Sequence, residues 1–106
     1  MSEDFIEIDY VENVRAEKRN DDRVTDPTMT PNEYVSLVSW RAKQLKVGWK
    51  PTIEWAGPHD PIAIAKEEIN RRVVPGVILR RIPDANFDVG FRIEVWEVKD
   101  MDIRDC

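Results

Sequence analysis

The sequence of 106 residues is the size of a single domain and is too short for two independent hydrophobic cores. A content of 42% hydrophobic and 35% charged residues predicts a soluble protein, and no apolar run approaches the roughly 18 residues that a membrane-spanning helix needs. The formal net charge of −5 comes entirely from residues 1–26, which hold nine acids and four bases. The remaining body is neutral, which disfavours autonomous binding to a phosphate backbone.

Residues 1–26 are predicted to form a disordered acidic leader. The opening Met-Ser-Glu-Asp lacks the basic and then apolar pattern of a secretory signal, which predicts an intracellular protein. The leader contains one apolar patch, formed by Phe5, Ile6, Ile8, Tyr10 and Val11. We interpret the patch as incidental within a solubilising tail; the alternative is a docking peptide that orders on a partner.

The pattern that begins at Thr30 predicts a helix of about four turns. Thr30 can cap this helix, Pro31 suits its first position, and Glu33 completes a Thr-x-x-Glu capping box. Gly48 and the lysines just before it are typical of the other end. Arg41 falls on the apolar face, so its charge must either reach solvent or meet a carboxylate. Trp40 projects toward the wet side and is predicted to be an exposed interface anchor.

Asp60 and Pro61 predict the start of a second helix, which is expected to run to Pro75 and Gly76. Its predicted inward stripe is formed by Ile62, Ala65, Ile69 and Val73. Beyond Gly76, the apolar run 77–79 and the alternating run 91–96 predict two antiparallel strands around a turn. The predicted fold class is therefore α+β, a small helical body of two main helices with a short antiparallel β-strand pair and a disordered acidic N-terminal leader.

The residue types of catalytic and metal sites are scarce. His59 is the sole histidine and lies in a turn, and Cys106 is the sole cysteine, at the last position. One histidine and one cysteine cannot build a structural zinc site, and no glycine-rich phosphate loop is present in the sequence. We therefore predict no catalytic residue, no cofactor and no metal. A protein-binding module becomes the leading class.

A series of residues then shows the order and spacing of a known family: the run 23–30, Glu33, Arg41-Ala42, Gln44, Asp60-Pro61, Ile64-Ala65, Glu67-Glu68-Ile69, Arg72, Pro75, Arg80 and Pro83-Asp84. Over residues 23–100 the sequence resembles the sixth shared subunit of eukaryotic RNA polymerases. The archaeal K subunit and bacterial omega are members of the same family.

The resemblance implies a non-catalytic subunit of a DNA-directed RNA polymerase, with a leader at 1–26 and an omega-like domain at 27–106. Such a subunit clasps the C-terminal region of the largest subunit, promotes assembly and stabilises the base of the clamp during transcription. It also touches neighbouring polymerase subunits, meets DNA and RNA only through the assembled polymerase, and binds no membrane. The implied location is the nucleus in a eukaryote, or the cytoplasm or virion if the source is archaeal or viral.

The partner-binding residues carried over from the resemblance are Thr30, Glu33, Arg41, Ala42, Asp60, Pro61, Ile64, Ala65, Glu68, Arg72, Pro75 and Arg80. Arg41 is expected to find its carboxylate outside the chain or across the helix pair. On this basis, Arg41→Ala is expected to reduce assembly more than folding.

The sequence also departs from the family pattern. Pro31-Asn32 replaces a Lys-Tyr pair, Gly76 replaces an apolar residue at the strand start, and Ala85-Asn86 replaces a glycine. This divergence is compatible with a polymerase encoded by a large DNA virus. Two alternative functions remain at this point: a free protein-binding adaptor, and a single-strand nucleic-acid-binding domain that uses its four tryptophans as stacking platforms.

Overall fold

A computed structural model describes residues 6–10, 24–86, 88 and 90–103. Its elements are β1 (Glu7–Tyr10), α1 (Pro31–Lys46), α2 (Pro61–Asn70), β2 (Gly76–Pro83) and β3 (Phe91–Glu97), followed by the 3-10 turn Val98–Asp100. The predicted α+β class, with two helices and an antiparallel sheet, is confirmed. No helix in these ranges is long and apolar enough to cross a membrane.

The sheet contains a strand that the sequence analysis did not predict. Its order is β1-β2-β3 with both pairings antiparallel, so β1 adds a third strand to the predicted pair. The prediction of disorder is therefore wrong for residues 7–10; residues 1–5 and 11–23 of the predicted leader lie outside the described residues. Ile8 packs against the core, while Glu7 pairs with Arg81 of β2 at 3.2 Å. Ile8 and Tyr10 of the leader's apolar patch therefore belong to an edge strand of the sheet, while Phe5 and Val11 lie outside the described residues.

The start and the end of α1 are as predicted. Thr30 accepts a hydrogen bond from the Glu33 N–H at 3.0 Å, and Glu33 Oε1 accepts one from the Thr30 N–H at 3.0 Å. After the helix, Gly48 adopts a φ of 108° and the Trp49 N–H donates to the Gln44 carbonyl. Only glycine adopts this backbone conformation without strain, which explains why α1 ends there.

The second helix starts at the predicted cap and ends earlier than predicted. Asp60 accepts hydrogen bonds from the N–H groups of Ile62 and Ala63. The helix ends at Asn70, not near Pro75, because Arg72 adopts a left-handed φ of 62° and the Val73 N–H donates back to the Glu68 carbonyl at 2.9 Å. This is a Schellman-type end with an arginine where glycine is usual, so no glycine marked it in the sequence.

The predicted inward stripe of α2 is wrong at both of its ends. Ile62 is 54% exposed because the helix presents a neighbouring face to the core, and Val73, which is 43% exposed, lies beyond the end of the helix at Asn70. The residues of α2 that are buried are Ile64, Ala65, Glu68 and Ile69. A polar side chain, Glu68, therefore lies within the buried face.

The core lies between the helix pair and the sheet. Its side chains come from both helices and from the strands, and they include Leu37, Leu45, Ile64, Ile69, Ile78 and Trp96. Trp40, predicted to be exposed, is half-buried and packs against this core. A Cβ atom added at Gly76 would lie 2.8 Å from the Trp40 ring. The glycine that departs from the family pattern thus makes room for the tryptophan.

Candidate partner-binding surface

Arg41 of α1 lies in the interior and pairs with Glu68 of α2. Its Nε donates to Glu68 Oε1 at 2.6 Å and its Nη2 donates to Glu68 Oε2 at 3.2 Å. Arg41 is 1% exposed and Glu68 is 0% exposed. Of the two partners expected for Arg41, the one across the helix pair is thus observed in the isolated chain.

The same ion pair also fixes the loop between the helices. Arg41 donates from Nη1 to Gln44 Oε1 and from Nη2 to the Lys50 carbonyl, at 2.9 and 3.1 Å. Glu68 Oε2 accepts the Thr52 N–H at 2.8 Å. Because the guanidinium and the carboxylate each have several partners, the desolvation of both charges is largely offset. These backbone contacts hold residues 50–52 within an irregular loop between the helices.

The loop and β1 meet in an aromatic cluster. The rings of Tyr10 and Trp49 stack with centroids 5.7 Å apart, and the Tyr10 and Trp40 rings are tilted with centroids 5.0 Å apart. The Tyr10 hydroxyl accepts a hydrogen bond from Gln44 Nε2 at 3.1 Å. The Arg41 network therefore extends through Gln44 to the first strand of the sheet.

A second charged network is centred on Arg80 of β2. Its Nε and Nη2 donate to the two carboxylate oxygens of Glu33, each at 2.8 Å. The Glu33 side chain also closes the capping box, so one buried carboxylate links the start of α1 to the sheet. The Arg80 guanidinium lies 5.3 Å from the centroid of the Trp96 ring. A bidentate, stacked guanidinium of this kind cannot be reproduced by lysine.

Arg80 and Glu94 together bind the segment that precedes α1. Arg80 Nη1 donates to Thr25 Oγ1 and to the Asp26 carbonyl, and Nη2 donates to the Thr28 carbonyl. Glu94, which faces Arg80 across the strand pair, accepts the Val24 N–H at 2.6 Å. The residues near the predicted leader boundary at 26 are therefore attached to the sheet.

The electrostatic state of Glu94 follows from this environment. Glu94 is 0% exposed, and burial raises the pKa of its carboxyl group. Hydrogen bonds from the Thr25 hydroxyl, the Val24 N–H and the Trp96 indole lower it by more, so that the pKa of Glu94 lies below its usual value of 4.5. The carboxylate is therefore the form that the folded chain prefers.

We expect Glu94→Gln to lower the free energy of unfolding at pH 7 by about 2 kcal/mol, because an amide has only one acceptor oxygen for these donors. Since the folded pKa is depressed, the contribution of Glu94 is complete above about pH 4.5 and is lost as the pH falls through the folded pKa. Urea unfolding of both proteins from pH 7 to pH 3 measures this difference. The stability gap should narrow below pH 4.5, and a gap that widened there would contradict the assignment.

The remaining predicted site residues divide between interior and surface. Ile64 and Ala65 are buried in the core. Arg72 is exposed and donates to the Met101 carbonyl at 3.3 Å, while Pro75 and Ala42 are half-buried. Thr30 and Asp60 are exposed at the two helix caps, and Pro61 is half-buried beside Asp60.

Three of these residues line a groove between the two helices. Ala42, Asp60 and Pro61 lie there with Val38, Ser39, Lys43, Lys46 and Ile62, around a volume of about 310 Å³. We call this the α1–α2 groove. The lining from Val38, Ala42, Pro61 and Ile62 is apolar, and the lining lysines, Lys43 and Lys46, are exposed. Apolar area beside exposed polar groups is typical of a protein-binding site.

Curated proteins with similar sequences are subunits of RNA polymerases. The probable DNA-directed RNA polymerases I, II and III subunit RPABC2 of Caenorhabditis briggsae is 32% identical over 84 residues, which cover 79% of this chain and 56% of that protein. The Saccharomyces cerevisiae subunit RPABC2 is 32% identical over 81 residues, which cover 76% of this chain and 48% of that protein. The archaeal subunit Rpo6 of Pyrobaculum aerophilum is 37% identical over 60 residues, which cover 55% of this chain and 57% of that protein.

The chain is a homologue of the RPABC2 and Rpo6 subunits. It spans about half the length of the curated relatives that it matches. No protein-family model matches the chain. The resemblance stated from the sequence is therefore confirmed for the eukaryotic and archaeal members, and the viral origin stays a prediction.

In this RPABC2 and Rpo6 homologue, several residues that were not among the predicted site residues take part in the networks and the groove. Thr25 and Glu94 are 69 positions apart, so no local signal links them. Lys43 and Lys46 were interpreted only as helix-end residues, and Ile62 as core. Gln44 was part of the resemblance, and the structure adds that it joins Arg41 to Tyr10.

Proposed function

We propose that this chain is a non-catalytic subunit of a DNA-directed RNA polymerase, acting inside the cell as part of the assembled enzyme. The observation that carries the proposal is the similarity to RPABC2 and Rpo6, subunits of eukaryotic and archaeal polymerases, over most of this chain. DNA and RNA then meet the chain only through the complex. The nucleus is the proposed location in a eukaryote, and the cytoplasm or virion otherwise.

We further propose that the domain clasps the C-terminal region of the largest polymerase subunit and stabilises the base of the clamp. The two charged networks support this role because they bind the first helix, the second helix, the sheet and the segment 24–28 into one unit. A rigid element loses little conformational entropy when it binds, which favours a permanent interface.

Burial divides the twelve proposed partner-binding residues by how they would act. Glu33, Arg41, Ile64, Ala65 and Glu68 are buried in the isolated chain, and they support the interface by holding its shape. Arg80 does the same through its contacts to Glu33 and to residues 25–28. Direct contact with a partner is proposed for the residues with accessible surface, which are Thr30, Ala42, Asp60, Pro61, Arg72 and Pro75.

Affinity purification of the tagged full-length chain from its native cells tests the proposal. We expect the two largest polymerase subunits to be recovered in amounts comparable to the tagged chain, and to remain after a wash in high salt, because a permanent interface buries apolar surface that salt does not screen. Mass spectrometry of the eluate measures the ratio. Absence of both large subunits would contradict the proposal and favour a free adaptor.

A further inference from the structure

The outer face of α1 carries lysines that have no acidic partner in the described chain. Arg41, Arg71, Arg80 and Arg81 all form ion pairs with carboxylates. None of the ion pairs among residues 6–10, 24–86, 88 and 90–103 involves Lys43 or Lys46, and both lysines are exposed. In a chain with a net charge of −5, this is a local positive surface.

Apolar surface adjoins these lysines in the α1–α2 groove. Ile62 is 54% exposed at the start of α2, beside the half-buried Ala42 and Pro61. Asp60 also lines the groove, and its Oδ1 accepts hydrogen bonds from the N–H groups of Ile62 and Ala63 in the first turn of α2. The groove thus offers apolar area and, at Lys43 and Lys46, positive charge that forms no ion pair among the described residues.

A second groove borders α1 on its other side and extends the same surface. It has a volume of about 420 Å³ and lies between β1 and α1, where Ile6, Ile8 and Val35 line it. Its one acidic lining residue, Glu7, is ion-paired with Arg81. Ser39 and Lys43 line both grooves. Val35 is 62% exposed, so apolar side chains flank the lysines on both sides of α1. An exposed surface of this composition is typical of a docking site.

We propose that the outer face of α1 docks an amphipathic acidic segment of a neighbouring polymerase subunit. Its apolar side chains enter the α1–α2 groove, and its carboxylates pair with Lys43 and Lys46, as amphipathic helices do in apolar grooves with charged rims. The inference rests on the proposed function, because that function requires a neighbouring subunit. It adds that the outer face of α1 is the contact surface and that the contacting segment is acidic and amphipathic. A nucleic acid fits less well, because the grooves are lined mainly by apolar side chains and the chain as a whole is negative.

The test is a double charge reversal, Lys43→Glu with Lys46→Glu, in the tagged full-length chain. We expect the amount of polymerase recovered after a physiological-salt wash to fall about tenfold, because two attractions become repulsions at the rim of the interface. The matched control reverses two exposed lysines outside both grooves that form no ion pair among the described residues, Lys50→Glu with Lys66→Glu, and should retain polymerase like the parent. Thermal unfolding of each purified protein verifies that all of them fold.

A second variant tests the apolar part of the site, and a cross-link tests the partner. Ile62→Ser removes exposed apolar surface without opening the core, and it should also reduce polymerase recovery. A photoreactive side chain at the exposed Ser39 should cross-link to a polymerase peptide that contains both acidic and apolar residues.

The possible outcomes separate the two proposals. If the parent chain recovers no polymerase, the proposed function itself fails. If the parent recovers polymerase and the Lys43/Lys46 and Lys50/Lys66 variants recover it equally, only the docking face is overturned. A cross-link from position 39 to nucleic acid or to a second copy of this chain also overturns it.

Discussion

Arg41→Ala is expected to lower the free energy of unfolding by about 3–5 kcal/mol, the usual effect of leaving one member of a buried ion pair without its partner. The substitution strands the Glu68 carboxylate, which is 0% exposed, and removes the donors to Gln44 and to the Lys50 carbonyl. A domain of this size is stable by only about 5–15 kcal/mol, so much of its stability would be lost. Urea unfolding followed by tryptophan fluorescence measures the change.

The chain offers a matched control for this substitution. Arg71 pairs with Glu67 within α2, but the two side chains are 54% and 37% exposed. Arg71→Ala should therefore cost about 0.5 kcal/mol or less. Equal effects at positions 41 and 71 would contradict the assignment of Arg41 to the interior.

Removing both charges should be milder than removing one. In Arg41→Met with Glu68→Leu no uncompensated charge is left, and the backbone groups of Lys50 and Thr52 can turn to water because both residues are exposed. We expect the double variant to be more stable than Arg41→Ala. This outcome also revises the expectation from sequence that Arg41→Ala acts on assembly more than on folding, since the observed carboxylate belongs to this chain.

The features that could be predicted from sequence are those decided by neighbouring residues. The start of α1 depends on Thr30 and Glu33, three positions apart, and both hydrogen bonds of the capping box are present. The end of α1 depends on Gly48, whose backbone conformation few other residues adopt. The end of α2 was missed because Arg72 occupies the left-handed position against its preference, supported by contacts to the chain's own carbonyls.

The features that could not be predicted depend on residues far apart in the chain. Arg41 was recognised as a charge on an apolar face, but its partner lies 27 positions away on another helix. The strand β1 exists because its residues pair with β2 and because Tyr10 stacks on Trp49, contacts that no local pattern reveals. Periodicity also failed for α2, because Glu68 is buried by its ion pair with Arg41.

The residues of the candidate site likewise divide into those that the sequence indicated and those that only the fold reveals. Resemblance led to Asp60, Pro61 and Ala42, which the fold does bring together in the α1–α2 groove. It gave no role to Lys43 and Lys46, because a lysine in the last turn of a helix is already explained by the helix dipole. The structure adds that both lysines line the α1–α2 groove and that neither forms an ion pair among the described residues.

Arg80→Lys is expected to lower the free energy of unfolding by about 2–3 kcal/mol, although the charge is kept. A single ammonium group cannot span both oxygens of Glu33 and also reach the Thr25 hydroxyl and the carbonyls of Asp26 and Thr28. The buried Glu33 carboxylate then loses one of its two hydrogen bonds from Arg80. Urea unfolding measures the global loss, and the neighbouring Arg81→Lys, whose ion pair with Glu7 is exposed, should change it by about 0.5 kcal/mol or less.

Hydrogen exchange then shows where the Arg80 network acts. If the guanidinium holds residues 24–28 on the sheet, the Val24 amide, which donates to Glu94, should exchange faster in Arg80→Lys than in Arg81→Lys. The Met29 amide donates to the Asp102 carbonyl and should be affected less, because this bond is independent of Arg80. Unchanged protection of Val24 would mean that Glu94 alone anchors the segment. The role of Arg80 would then be limited to the cap of α1, through Glu33.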